Sequence, residues 1–224
     1  MLDTAGHYFT EYFGKKNKSI ITDRLAATNI YFVGPKLKPA EKLSQFFAVL
    51  GDHSMQHLKK PFDELSWDFV NDCVDGVAAG ERTGGMCIYI PFKKGGGRHG
   101  VFVHDVEGTE LERGEEDAFT DCCINHELLH AVTQYEKNKK VISGISNFNY
   151  NLNEWVVENM AIEITKRIHY DNIVFNTRVR PSDAEYYLSP ILKIIPGYVF
   201  EQYKDSLKRM MFNGPSRKVL GRFL

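Results

Sequence analysis

Asn125-His126-Glu127-Leu128-Leu129-His130-Ala131 is the stretch around which the whole chain can be interpreted. It contains His-Glu-x-x-His in a segment whose apolar residues recur at helical spacing. Because residues four apart lie one above the other on a helix, His126 and His130 can direct two imidazoles at one metal ion. Glu127 stands beside them, where it can hold a water molecule and take its proton. The stretch therefore predicts a helix that carries a metal site.

The residues on either side of this stretch have the charge pattern of a helix. Acidic residues at 115–117 precede it and lysines at 137, 139 and 140 follow it. This order suits the positive first turn and the negative last turn of a helix. The histidine pair alone leaves one alternative open, which is a buried amphipathic helix whose histidines only form hydrogen bonds.

A second segment, Asn151 to Ala161, is also predicted to be helical, and it carries Glu154 and Glu158 four positions apart on one face. Trp155 and other apolar residues surround the two carboxylates, and burying a charge without a partner is unfavourable. A zinc ion and a metal-bound histidine would be suitable partners. A solvated glutamate face is the alternative.

Together, His-Glu-x-x-His and the downstream Asn-Glu-x-x-x-Glu resemble the gluzincins, the thermolysin-like zinc metallopeptidases, over residues 117–167. The resemblance implies one Zn²⁺ ion with three protein ligands, His126, His130 and Glu154. It also implies Glu127 as the general base, and Glu158 as the acid that orients a ligand histidine from behind.

Two other families with the same histidine pair do not fit. Metzincins need a glycine and a third histidine soon after the pair, whereas this chain continues with Ala131-Val132-Thr133-Gln134-Tyr135. Peptide deformylases take a cysteine ligand from an upstream Glu-Gly-Cys, and this chain has Glu107-Gly108-Thr109 instead.

Gluzincins commonly place a tyrosine or histidine opposite the general base to stabilise the oxyanion. The resemblance makes Tyr150, just ahead of the second helix, the first choice for this role. Tyr186, Tyr187 and His169 are alternatives. Tyr150 as a simple packing aromatic is equally compatible with the sequence.

The predicted fold class is α+β and zincin-like, with a small mixed β-sheet, an active-site helix and a mostly helical C-terminal lobe. Strand patterns occur at 29–33 and in a β-hairpin over 84–106, and helical patterns at 39–50, 61–73 and 198–211. We expect a single catalytic domain, 1–224, with an upper lobe over about 1–140, a lower lobe over about 141–224 and a cleft between them.

Composition excludes several classes of partner. The formal net charge is −1, which gives no reason to expect binding to nucleic acid or to an anionic membrane. The chain has no run of about 18 apolar residues, so no membrane span is predicted. The first residues lack the pattern of a signal peptide.

The four cysteines form no Cys-x-x-Cys pattern, and we expect them to be reduced thiols. Cys122 or Cys123 as a nucleophile is a weaker alternative. We therefore expect a cytoplasmic protein, or one exported without a cleaved signal.

The resemblance implies zinc-dependent hydrolysis of peptide bonds, with a protein or peptide as substrate. A small peptidase that is active in its own cytosol would need narrow specificity, or would act elsewhere as a secreted effector or toxin. The rival hypothesis is a catalytically silent zincin-fold protein that serves as a binding or scaffold module.

Overall fold

The structure is a computed structural model that describes residues 2–33, 85–91, 97–104, 115–137, 140–145, 150–169 and 197–214. The helices are α1 (Leu2–Phe13), α2 (Lys18–Ala26), α3 (Glu115–Thr133), α4 (Tyr150–Ile168) and α5 (Gly197–Asn213), with a short 3-10 helix at Lys15–Asn17. The strands are β1 (Thr28–Val33), β2 (Gly85–Pro91), β3 (Gly97–His104), β4 (Gln134–Lys137) and β5 (Lys140–Ser143).

Three of the described strands form a mixed sheet with the order β1-β3-β2. β2 and β3 form the expected antiparallel hairpin, and β1 adds to β3 in parallel. Ile30, Val101 and Cys87 lie opposite one another across the three strands and pack against the core. The prediction of an α+β protein with a small mixed sheet is thereby confirmed.

Helix α3 runs across this sheet and also packs against α4. Leu128, Leu129 and Val132 are fully buried, so α3 has apolar contacts on more than one side. Helix α4 buries Val157, Ala161 and Ile164 at helical spacing. The helices predicted around the histidine pair and around Glu154 are both confirmed.

Helices α1 and α5 complete the core. The ring of Phe13 meets that of Phe212 edge to face at 4.9 Å between centroids, and Tyr12 donates a 2.6 Å hydrogen bond to Glu163 of α4. The helix predicted at 198–211 is confirmed by α5. The patterns at 39–50 and 61–73 lie outside the described residues, and the division into two lobes stays a prediction. No helix in the described part of the chain is long and apolar enough to cross a membrane.

Candidate metal centre

Helix α3 brings the two predicted histidine ligands together. His126 and His130 are one helical turn apart, and their Nε2 atoms lie 3.1 Å from each other. The two rings are inclined at 65°, with centroids 4.9 Å apart. Both rings therefore direct the same nitrogen toward one point beside the helix.

Helix α4 delivers Glu154 to the same point. Its Oε2 atom lies 3.3 Å from Nε2 of His126 and 3.2 Å from Nε2 of His130. Glu154 is buried, at 6% exposure. The three atoms thus form a nearly equilateral triangle with sides of 3.1, 3.2 and 3.3 Å.

This triangle can be tested against the geometry of a metal ion. Tetrahedral zinc holds N and O ligands at about 2.0–2.1 Å, so its ligand atoms are about 3.3–3.4 Å apart. The sides of the triangle come within a few tenths of an ångström of that spacing. His126, His130 and Glu154 fit one face of a tetrahedral site, and they form the metal-competent group among the described residues. Two imidazoles and a carboxylate suit zinc, although they do not exclude other first-row metals.

Glu158 lies behind the triangle. Nδ1–H of His126 donates to Oε2 of Glu158 at 2.7 Å. A proton held on Nδ1 leaves Nε2 with a free lone pair, and it is Nε2 that faces Glu154 and His130. Glu158 therefore selects the tautomer of His126 that a metal ion needs and fixes the orientation of the ring.

The electrostatics of the cluster follow from burial and pairing. Burial disfavours the ionised form of Glu154, but the charges of His130 and His126 and their hydrogen bonds outweigh it and lower the pKa of this carboxyl. Burial likewise works against protonation of His126, yet hydrogen bonds to Glu154 and Glu158 raise its pKa above the usual value.

Glu127 is buried, at 7% exposure, and burial raises the pKa of its carboxyl. It lies against the start of edge strand β2: a Cβ atom on Gly85 would stand 2.7 Å from Cγ of Glu127 and 3.1 Å from its Oε1. Glycine at this position is what lets the strand approach the carboxylate. The Gly85 contact was not predicted, because it depends on how a strand and a helix far apart in sequence meet. The adjacent glycines at positions 84 and 85, where β2 begins, were the available signal.

Of the four candidates for oxyanion stabilisation, the described part of the structure shows the side chain of His169 alone. Helix α4 begins at Tyr150, but the side chain of this residue lies outside the described part of the structure, as do Tyr186 and Tyr187. His169 follows the end of α4, about 22 Å along the helix axis from Glu154, and its Nε2 pairs with Asp121 at 2.8 Å. His169 as an alternative donor is therefore wrong, because it lies at the far end of the helix.

Two further polar contacts join the helices near the cluster and were not predicted. Nδ2 of Asn125 donates to Oγ1 of Thr165 at 2.9 Å, and both residues are buried. Asn153 accepts a hydrogen bond from the backbone N–H of Ile145 at 3.0 Å. Both asparagines adjoin a predicted ligand, and this adjacency was the sequence signal that could have singled them out.

Comparison with known proteins assigns no family to the chain. No family model matches it, and no solved structure matches it significantly. A curated protein, Protein YIM1 of Vanderwaltozyma polyspora, is 23% identical over 168 residues, covering 67% of this chain and 46% of that protein. The chain thus spans about half the length of this relative. At such identity the geometry of the cluster is the stronger guide to function.

Proposed function

We propose that this chain is a zinc-dependent endopeptidase with a zincin-like fold and narrow substrate specificity. The observation that carries the proposal is the triangle formed by Nε2 of His126, Nε2 of His130 and Oε2 of Glu154, with sides of 3.1–3.3 Å. Three protein ligands that leave a fourth position open are typical of catalytic rather than structural zinc sites.

Different residues of the chain would have different roles in hydrolysis. His126, His130 and Glu154 would hold the ion, and Glu158 orients His126 through Nδ1. A zinc ion there would supply Lewis-acid chemistry, activating water and stabilising the oxyanion of the reaction. Glu127 takes the proton of the attacking water and passes it to the leaving amine. Its buried setting, which raises its pKa, brings the base closer to neutral pH and makes this transfer more favourable.

The sheet supports a peptide as the substrate. Strand β2 lies at the edge of the described sheet, paired to β3 on one side, and its first residue touches the proposed base. An extended peptide can add to such an edge through backbone hydrogen bonds. This would bring a backbone carbonyl toward Glu127.

The alternative function is a catalytically silent metal-binding or scaffold protein. The buried carboxylate of Glu127 favours the peptidase. Burying a carboxylate is unfavourable, and a scaffold without activity would gain nothing from one beside the histidine pair. The deciding experiment combines metal analysis of the purified protein with incubation in a proteome and sequencing of new N-termini. We expect about one zinc per chain, and new termini that are absent with Glu127→Gln. Stoichiometric zinc without new termini would favour the scaffold, and failure to bind zinc would refute the peptidase.

A further inference from the structure

The turn at Gly144 and Ile145, between β5 and α4, contacts both helices of the metal centre. The N–H of Gly144 donates to the carbonyl of Thr133, the last residue of α3, at 3.2 Å. The N–H of Ile145 donates to Oδ1 of Asn153 on α4 at 3.0 Å. Two successive backbone amides therefore bridge the end of one ligand helix to the start of the other.

Asn153 is suited to anchor this turn. It is fully buried, and its Nδ2 has no hydrogen-bond partner among the described residues. Its carbonyl oxygen is thus the half of the amide that is used. Gly144 has φ +49°, and a Cβ atom there would lie 2.7 Å from Oδ1 of Asn153. Glycine is therefore required both for the backbone conformation and for the close approach.

The sequence positions connect this turn to the ligands. Thr133 lies one helical turn after His130, and its hydroxyl bonds to the carbonyl of Leu129 at 2.7 Å, which holds the last turn of α3. Asn153 directly precedes Glu154. We propose that Asn153, through the amides of Gly144 and Ile145, is a positioning residue that sets Glu154 at its distance from His130. This inference rests on the proposed function only in taking the cluster as a metal site.

The test is zinc affinity, measured by chelator competition on folded, metal-stripped protein. Asn153→Ala should bind zinc about tenfold more weakly or worse, the scale seen when a ligand's supporting contact is lost. Asn159→Ala is the matched control, because Asn159 lies on the same helix and, among the described residues, donates its side-chain hydrogen bond within that helix, to the carbonyl of Trp155. Asn153→Asp keeps the acceptor oxygen for the Ile145 amide but buries a carboxylate, so its zinc affinity should lie closer to that of wild type than the affinity of Asn153→Ala does. The Co²⁺-substituted Asn153→Ala protein should also show an altered visible absorption spectrum.

Gly144→Ala disturbs the same contact from the turn, because the added methyl group would lie against Oδ1 of Asn153. It should weaken zinc binding by a similar factor, and the double variant should lose less than the product of the two single losses. A loss under threefold for Asn153→Ala, or independent effects of the two substitutions, would overturn the proposal. If neither Asn153 variant folds, Asn153 is a folding residue and the proposal is also overturned. Wild-type protein that binds no zinc would instead refute the proposed function.

Discussion

Oε2 of Glu158 lies 2.7 Å from Nδ1 of His126, on the side of the ring opposite Glu154. These two carboxylates of α4 therefore have different roles. Glu154 reaches Nε2 of both histidines, whereas Glu158 reaches one histidine from behind. Glu154→Ala should accordingly lose more zinc affinity than Glu158→Ala, for which a loss of about 10–100-fold is expected. Zinc titrations at one pH would rank them, with Glu163→Ala as a control on the same helix. The opposite order would make Glu158 the ligand.

Substitution of the proposed base should separate metal binding from catalysis. Glu127 is not among the three converging ligand atoms, so Glu127→Gln should keep its zinc. Peptide hydrolysis should fall by about 10²–10⁴-fold, because a general base contributes on that scale. Metal analysis and the rate on any cleaved peptide would check both halves. A variant that cleaves at the wild-type rate would remove Glu127 from the reaction.

Gly85→Ala should disturb the same base from the neighbouring strand. The added methyl group would meet Cγ of Glu127 at 2.7 Å and displace the carboxylate. A misplacement of about 1 Å can lower activity by about 10²-fold, so kcat should fall while zinc affinity stays unchanged. Gly6→Ala is the control, since its methyl group would make an ordinary 3.4 Å contact. Unchanged kcat in Gly85→Ala would show that the strand does not hold Glu127.

His99 should make the protein sensitive to acid. It is 2% exposed. Burial, together with the charge of Arg24, lowers its pKa from 6.5 to about 4, and a backbone hydrogen bond with Gln134 offsets only part of this shift. Below about pH 6.5 the His99 imidazole is protonated in the unfolded chain but stays neutral in the folded protein. The free energy of unfolding therefore falls as the pH is lowered to about 4. The whole effect is worth about 3 kcal/mol.

The variant His99→Phe isolates this effect, because it keeps an aromatic ring beside Tyr89. Urea unfolding of metal-free protein at pH 7 and pH 4.5 should show a smaller loss of stability for the variant than for wild type. Equal losses would mean that another group controls the acid transition.

The three cysteines in the described part of the chain should react slowly in the folded protein. Cys87, Cys122 and Cys123 are free thiols, and burial, together with nearby carboxylates, raises the pKa of each. Since the thiolate is the reactive form, alkylation at pH 8 should be much slower than in urea. Mass spectrometry of peptides would locate the label. Rapid alkylation of Cys122 or Cys123 would revive the hypothesis of a cysteine nucleophile.

The parts of the fold that depend on local pattern were predictable from the sequence. The helix around His126, the helix around Glu154, the β2–β3 hairpin and strand β1 all follow from periodicity and turn residues. The four-residue spacing placed Glu154 and Glu158 on one face. The resemblance to gluzincins implied that Glu158 orients a ligand histidine, without saying which one, and the structure places it on His126.

Contacts between distant segments could not be predicted in this way. The parallel pairing of β1 with β3 and the approach of Gly85 to Glu127 depend on long-range register, which no local pattern specifies. His169 shows the same limit: its residue type suited an oxyanion donor, but the length of α4 carries it away from the cluster and toward Asp121.

The hydrogen bond from Tyr12 to Glu163 joins residues 151 positions apart, whereas His126 and Glu158 are 32 positions apart. Closing a longer loop costs more chain entropy and slows folding. We therefore expect α3 and α4 to meet early in folding and α1 to dock late. The proposed zinc site would then form before the N-terminal helix has packed onto the core.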